Sequence, residues 1–343
     1  MWEGGAARVR NYVIRRLAVI PLLLLGVVTM VFLLTNLTPS RAIYVRLGLR
    51  GTAEEVQALI QEYNLDKPVW YRYIDYLGRI VRGDLGESMA EGRPVTQELA
   101  LYLPASLELV SLSVLSIIVV GVSLGILSAV YKNRWPDVIA RGIAVTGNSM
   151  PEFWFAIMLA LLFFFTLRVL PGSGRIDPLI GSPRRVTGMY ILDSLLTGNW
   201  KALGSSILHI ILPVLSLTVT RLSAITRMTR TSFLDVLSQD FMLTHRAYGF
   251  RRATLVLRYG LKNALPPVLS IMGLLTGALF ASTFLIETVF TYPGIGFYAI
   301  TAIIHRDFQP AIACAIVFSL IYAVINVVVD IAYAWLDPRV RYE

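Results

Sequence analysis

Long apolar runs separated by polar stretches form the dominant pattern along this chain. Each run is close to or above the roughly 20 residues that an α-helix needs to cross the hydrocarbon core of a bilayer. The pattern therefore predicts an all-α polytopic membrane protein with about six transmembrane helices. We expect these helices at about 14–37, 105–131, 143–167, 207–225, 268–290 and 310–335.

The charges that flank the runs predict the topology. Arg15 and Arg16 lie beside the first run, and Lys and Arg collect on the cytoplasmic flanks of membrane helices. The N-terminus is therefore predicted to be cytoplasmic, and alternation places the C-terminus on the same side. Arg221, Arg227 and Arg230 are interpreted as the return to the cytoplasm after the fourth span. The first run exceeds the apolar core of a cleavable signal, so we expect it to stay as a membrane helix.

This topology divides the chain into three predicted regions. Residues 1–37 hold the cytoplasmic N-terminus and the first helix, residues 38–102 form an external, partly helical region, and residues 103–343 hold the other five helices. Thr52, followed by two glutamates, is typical of a helix start within the external region. A second external loop, residues 168–204, is rich in Gly and Pro and is predicted to be irregular.

Composition agrees with a location in the cell membrane. Hydrophobic residues make up 56% of the chain and charged residues 15%, whereas a soluble domain has about 25% charged residues. The net charge of +9 comes from basic residues between the apolar runs, which the bias of cytoplasmic loops explains, so no nucleic acid partner is expected. We expect contact with membrane lipid. The single cysteine, Cys314, predicts no intrachain disulfide.

The most strongly cationic interruption between two runs is residues 240–267, here called the basic segment. One short helix is predicted to end near Tyr248, with Gly249 in the left-handed conformation that closes a helix. A second short helix is predicted to stop at Pro266-Pro267, because proline removes backbone donors. A bent pair of helices between two spans is suited to docking a partner and passing its movement to the membrane.

The third span is interrupted at Met150-Pro151. A proline inside a span frees a backbone carbonyl, which is tolerated beside other helices or a water-lined cavity. A pathway beside this break and a plain kink are equally open alternatives. Ionisable residues fall near the ends of the predicted spans, at Glu108, Glu152, Glu287 and Asp330. Glu287 is the strongest candidate for a pathway role, and capping of nearby backbone is an equal alternative.

The sequence excludes several kinds of chemistry in this chain. It contains no Gly-Lys pair and hence no phosphate-binding loop of the Gly-x-x-x-x-Gly-Lys type, so any ATP must act from another subunit. His209, His245 and His305 are far apart and lack metal-ligand spacing. We therefore predict no metal site, no cofactor, no nucleophilic triad and no enzymatic activity in the chain itself.

Several separated motifs resemble those of the dipeptide/oligopeptide family of ABC-importer permeases. In the basic segment the similar residues are Arg246-Ala247-Tyr248-Gly249, Arg258, Asn263 and Pro267. The segment departs from the family where Leu-Thr-His occupies residues 243–245 in place of Glu-Ala-Ala, and where Tyr248 replaces a usual lysine. Further similar motifs lie at 65–68, 82–88, 149–154, 287–296 and 336–342. The resemblance thus covers nearly the whole chain.

The resemblance implies a type I ABC importer permease fold that supplies half of a translocation pathway for di- and oligopeptides. It implies four kinds of partner: a second permease subunit, two ATPase subunits that bind ATP and Mg, an external solute-binding protein and membrane lipid. ATP binding would drive alternating access through a cytoplasmic coupling loop at about 233–265. Close relatives in the family carry oligosaccharides or nickel, so these substrates stay open.

The resemblance also implies two sets of site residues. The predicted coupling residues are Asp240, Thr244, Arg246, Ala247, Tyr248, Gly249, Phe250, Arg258, Asn263 and Pro267. The predicted pathway residues are Ser149, Pro151, Phe153, Trp154 and Glu287.

Two other functional classes compete with this interpretation. An ion-coupled secondary transporter would need internal repeats and deep ionisable groups, and the sequence shows no repeat between its halves. An intramembrane enzyme would need paired catalytic groups at membrane depth, and no such set can be assembled. The importer permease is therefore the favoured prediction.

Overall fold

A computed structural model describes residues 20–30, 32–33, 57, 66–88, 90–305 and 307–336, which are predominantly helical. The helix predicted to begin near Thr52 lies outside the described residues. The side chain of Asp330 lies outside them too, as does the motif at 336–342 beyond its first residue.

Twelve helices can be defined in the described part of the chain. The N-terminal half contains α1 (Ile20–Met30), α2 (Val69–Val81), α3 (Val95–Val130), α4 (Trp135–Asn148) and α5 (Glu152–Leu159), which continues as a π-helical turn over Ala160–Thr166. The C-terminal half contains α6 (Tyr190–Thr197), α7 (Trp200–Leu237), α8 (Asp240–Ala247), α9 (Arg252–Thr254), a π-helical turn over Leu255–Gly260, α10 (Leu261–Val289), α11 (Ile295–Ile304) and α12 (Phe308–Leu336).

Four of these elements are long and apolar enough to cross a membrane: α3, α7, α12 and the continuous run from α9 through α10. Helices α4 and α5 pass the same test together but are bent by 106° at a short break. The predicted first span is described as α1 and residues 32–33, where Val28 packs against α12. The part of the chain that the structure describes contains no strand, in agreement with the all-α prediction.

Most spans extend beyond their predicted ends. Helix α3 begins at Val95 instead of near residue 105, because Val95 and Leu99 are buried against Ile295 and Tyr298 of α11. Apolar run length measures only the part of a helix that lies in hydrocarbon, and tertiary packing continues the helix past it. Helix α11 and the short α6 inside the loop predicted to be irregular are also additions to the prediction.

The prediction that a helix stops at Pro266-Pro267 is wrong, because α10 runs through both prolines. The two rings remove the amides that would pair with the carbonyls of Lys262 and Asn263. Both of these residues are exposed, so water or lipid headgroups can satisfy the freed carbonyls. The backbone irregularity instead lies upstream, in the π-helical turn Leu255–Gly260.

Helix α7 forms the centre of the bundle and packs against α3, α4, α5 and α10. Small residues allow the closest approaches. A Cβ at Gly125 of α3 would meet Thr229 of α7, and one at Gly147 of α4 would meet the backbone carbonyl of Val219. Gly121 and Gly125, four residues apart on α3, therefore form a small-residue interface with α7.

Candidate functional site

The basic segment begins with α8, whose end is closed by a left-handed glycine. Gly249 has φ of 78°, which confirms the predicted conformation. Its amide donates to the carbonyl of Arg246 at 3.0 Å, and the amide of Phe250 donates to the carbonyl of His245 at 3.3 Å. These bonds satisfy carbonyls that would otherwise be orphaned at the helix end. The turn thus has a defined shape.

A cluster of rings holds the two arms of the basic segment together. The ring of His245 lies 4.3 Å from that of Tyr259 and 5.4 Å from that of Phe250, measured between centroids. Its Nδ1 hydrogen-bonds with the carbonyl oxygen of Phe241 at 2.6 Å. In the permease family that the sequence resembles, another residue usually occupies the position of His245. In this chain His245 is the centre of the turn.

The inner face of the segment is built into the bundle. Met242 and Leu255 are buried against Phe233 of α7 and Ala264 of α10. Arg252 donates to the carbonyl of Val130, the last residue of α3, at 2.9 Å. Any force on the segment therefore acts directly on three spans.

The outer face of the segment contains the predicted coupling residues, all of which are exposed. Tyr248 is the most prominent, with 79% of its surface exposed. The full set of exposed predicted residues is Asp240, Thr244, Arg246, Ala247, Tyr248, Gly249, Phe250, Arg258, Asn263 and Pro267. A cavity of about 510 Å³ opens beside them, with Arg134, Arg246 and Arg252 in its lining. This face is cationic and accessible to a partner.

A fully buried carboxylate joins the helices behind the segment. Asp137 of α4 accepts two hydrogen bonds of 3.0 Å from Arg230 of α7 and one of 2.9 Å from the amide of Asn133. Ser128 of α3 donates to the same carboxylate, and Arg141 lies 3.1 Å from it. The network fixes α3, α4 and α7 to one another. The first turn of α8 follows α7 directly.

The break between α4 and α5 exposes four of the predicted pathway residues: Ser149, Pro151, Phe153 and Trp154. Glu152, between them, forms an ion pair with Arg221 of α7. Arg221 also donates to the hydroxyl of Ser282 on α10 at 2.9 Å. Arg221 therefore packs between α5 and α10 inside the bundle, and α7 continues past it to Leu237.

Glu287, the fifth predicted pathway residue, is fully buried and belongs to a different site. Its carboxylate accepts from the hydroxyl of Ser106 at 2.6 Å and from the amide of Phe297, in the first turn of α11, at 3.0 Å. The amide of Ile295 donates to Ser106 at 2.8 Å. A carboxylate at a helix N-terminus is a favourable cap. Of the two alternatives left open by the sequence, this geometry is that of the cap.

With this geometry in hand, comparison with known proteins identifies the family. The profile described as "Binding-protein-dependent transport system inner membrane component" matches residues 121–342, and an N-terminal profile described as "Binding-prot-dependent transport system membrane comp, N-term" matches residues 9–109. The chain belongs to this family. The predicted identity as the permease component of an ABC transport system is confirmed.

Three relatives cover almost all of this permease. The probable D,D-dipeptide transport system permease protein DdpB of Escherichia coli K12 is 39% identical over 93% of this chain and 94% of the relative. The dipeptide transport system permease protein DppB of Alkalihalophilus pseudofirmus is 36% identical, over 96% of this chain and 99% of the relative. The glutathione transport system permease protein GsiC of Pectobacterium atrosepticum is also 36% identical, over 97% and 99%.

A solved structure of the MetNI methionine ABC transporter in an inward-facing conformation has the same fold. It matches with a TM-score of 0.50 at 14% sequence identity and covers 69% of this chain and 96% of that chain. The predicted all-α permease fold is therefore confirmed.

The loop at 168–199 of this permease is held by a buried ion pair. Arg175 donates to Glu108 of α3 at 2.6 Å, and its guanidinium lies 3.7 Å from the centre of the Tyr190 ring. The hydroxyl of Tyr292 donates to the same carboxylate at 3.2 Å, and burial raises the pKa of this hydroxyl above its usual value. The ion pair fixes the loop to the core of the permease.

A second carboxylate closes the far end of this loop. Asp193 accepts from the amide of Thr187 at 2.7 Å and from that of Gly188 at 2.9 Å, and also from the Thr187 hydroxyl at 2.7 Å. Burial alone would raise the pKa of Asp193, but these hydrogen bonds outweigh burial and hold it below the usual value.

Sequence reasoning missed the partners of the buried charges in this permease. Arg221 and Glu152 are opposite charges inside two apolar runs, and that pattern alone could have predicted their pairing. Asp137 has a weaker signal, since an acidic residue after Trp135-Pro136 also fits an ordinary first helical turn.

Proposed function

We propose that this permease forms half of the translocation pathway of an importer for di- and oligopeptides. The substrate class is supported by the relatives, which are named for the transport of a D,D-dipeptide, dipeptides and glutathione. The permease lies in the cell membrane with both termini cytoplasmic, as the arginines beside α1 and those at the inner end of α7 favour. A second permease subunit completes the pathway.

The basic segment is the coupling loop in this proposal. One observation carries the assignment: all ten predicted coupling residues are exposed on the outer face, while Met242 and Leu255 anchor the inner face in the bundle. A docking element needs both properties, because a partner must reach it and its displacement must move the spans.

The energy comes from two partner ATPases, which bind ATP and Mg outside this chain. Their closure displaces α8, and the rigid turn at Gly249 passes the displacement to α7 and α10. The pathway alternates between inward-facing and outward-facing states as a result. The external solute-binding protein delivers peptide at the opposite end, where the loop at 168–199 is held by its buried ion pair.

Site-directed crosslinking tests the docking face. The native cysteine, Cys314, is buried, so a Tyr248→Cys variant presents a single accessible thiol in the described part of the chain. We expect this thiol to crosslink to the co-expressed ATPase with a short bifunctional reagent. Trp200→Cys is the matched control, because Trp200 is 70% exposed at the other end of α7 and should give no such product.

Equal crosslinking of both variants, or none at Tyr248→Cys with the complex intact, would contradict the assignment.

A further inference from the structure

An ion pair with an accessible side joins two predicted spans of this permease. Glu152 pairs with Arg221, and Arg221 is also bonded to Ser282 of α10. In the predicted span at 268–290, Ser282 lies about 21 Å along the helix axis from Val268 and about 10 Å from Val289, at 1.5 Å per residue. A span at these positions places Ser282, and the guanidinium bonded to it, within a hydrocarbon core that is about 30 Å thick.

This pair differs from the ion pairs of Glu108 and Asp137 described above. Glu108 is 5% exposed and Asp137 is fully buried, and each carboxylate accepts several hydrogen bonds. Glu152 is 23% exposed, and within the described ranges its side chain bonds with Arg221 alone. A carboxylate oxygen of Glu152 is therefore available to a further donor.

Charged groups at membrane depth are costly and face a protein interior or a water-filled cavity. The exposed residues next to this pair, Ser149 and Pro151, line the 106° break between α4 and α5. If one permease supplies half of the pathway, the open side of the pair faces that pathway. A solute that passes through would meet one cation and one anion together.

The chemistry of the pair complements the two ends of a free peptide. At neutral pH such a peptide carries an α-carboxylate and an α-ammonium group. Arg binds carboxylates through paired N–H donors, and a Glu carboxylate accepts hydrogen bonds from an ammonium group. Exchange of partners leaves all four charges paired and the net charge zero. A peptide with one blocked end would leave one protein charge unpaired, which is costly in a low-dielectric site.

We propose that Glu152 and Arg221 form a transient binding site for the charged ends of a peptide inside the pathway, with Arg221 receiving the carboxylate and Glu152 the ammonium group. The substrate of this site is a zwitterionic peptide, and the inference rests on the proposed import of peptides. Ser282 holds Arg221 in place while the partners exchange.

The test compares a free peptide with two blocked forms in proteoliposomes that contain the complete transporter. One form has an amidated C-terminus and the other an acetylated N-terminus. Uptake is measured with one binding protein, whose affinity for each peptide is determined separately and which is saturated in every assay. Because the binding protein is constant, any change in selectivity between variants belongs to the permease.

The expected result is a crossed pattern. Arg221→Gln should reduce the preference for the free peptide over the amidated one by at least about tenfold, the discrimination that one charge-assisted hydrogen bond provides. Glu152→Gln should do the same for the acetylated peptide only. Arg221→Lys should retain part of the preference. Arg227→Gln, an exposed arginine on the same helix, is the matched control and should leave both preferences unchanged.

A second readout does not need the binding protein. A Ser149→Cys variant exposes a thiol at the break, and millimolar free dipeptide should slow its modification at least about threefold more than either blocked form does.

Two failures are distinguishable. If the wild-type transporter takes up no peptide, the proposed function is refuted. If peptide is taken up but the single variants change both preferences equally or not at all, or if Ser149→Cys is labelled at the same rate with every peptide, the site is refuted.

Discussion

The buried carboxylate of Asp137 offers the sharpest prediction of stability, because two arginines contact it in different environments. Arg230 is 21% exposed and forms two bonds of 3.0 Å to the carboxylate. Arg141 is 52% exposed and lies one turn after Asp137 on α4, where it forms a single contact of 3.1 Å with the carboxylate. The two arginines therefore make a matched comparison on one buried anion.

The expected magnitudes follow from this difference in burial. Arg230→Ala leaves a fully buried charge short of its main partner, and such losses cost about 3–5 kcal/mol. Since Ser128, Asn133 and Arg141 remain, we expect about 3 kcal/mol, which is more than a hundredfold in the folding equilibrium. Arg141→Ala breaks a solvent-exposed contact and should cost less than about 1 kcal/mol.

The assay is unfolding of the purified permease in mixed micelles by increasing SDS, followed by circular dichroism. A double-mutant cycle with Asp137→Asn and Arg230→Ala isolates the interaction between the two side chains, which should couple by at least about 1.5 kcal/mol. Equal destabilisation by Arg230→Ala and Arg141→Ala, or a coupling energy near zero, would refute the argument from burial.

Three further predictions address the turn at Gly249, the cap formed by Glu287 and the loop at 168–199. Gly249→Val forces a β-branched residue into a left-handed conformation, so ATP hydrolysis per imported peptide should rise while membrane insertion measured by fractionation is unchanged. Glu287→Ala leaves the Ser106 hydroxyl without its buried acceptor and should lower the free energy of unfolding by about 2–4 kcal/mol. Glu287→Gln should keep most peptide uptake. Loss of uptake in a stable Glu287→Gln variant would instead show a pathway role. Because the folded-state pKa of Asp193 is depressed, its contribution to stability is present above the unfolded value of 3.8 and is lost as pH falls through the lower folded value. Proteolysis of the loop near Thr187 should therefore increase only under acid conditions, and a rate that stays constant from neutral pH down to the lowest pH at which the permease is folded would contradict this.

Much of this fold could be predicted because a helix that crosses a bilayer must be apolar over the thickness of the hydrocarbon core, and the length of an apolar run is visible in the sequence. The all-α class and the spans now seen as α3, α7, α10 and α12 follow from that one property. The ends of the helices could not be predicted in the same way. Val95 begins α3 because α11 covers it, and α11 itself is only ten residues long, too short for its apolar run to predict a span.

Proline positions show a second limit of sequence reasoning. The break at Pro151 was predicted correctly, whereas the stop at Pro266-Pro267 was not. The same residue type has opposite outcomes because the fate of a proline depends on whether neighbouring groups can satisfy the freed carbonyls. That information belongs to the tertiary structure.

The candidate sites divide along similar lines. The left-handed conformation of Gly249 was predictable because glycine at the end of a helix has a local cause. Glu152 and Arg221 are far apart in sequence. Opposite charges inside two apolar runs indicate that they could pair, and the packed bundle shows the contact itself. The sequence left a pathway role and a cap open for Glu287, and its contacts with Ser106 and the first turn of α11 have the geometry of a cap.

The central claim, that this permease imports peptides under the control of partner ATPases, is tested most directly by the ATPase activity of the reconstituted complex. The complex is titrated with solute-binding protein loaded with peptide, with oligosaccharide or with nickel. The account predicts that the peptide-loaded form stimulates ATP hydrolysis and that stimulation is lost in Gly249→Val. Stimulation only by the sugar-loaded or nickel-loaded form would overturn the substrate, and uptake driven by an ion gradient without ATP would contradict the mechanism.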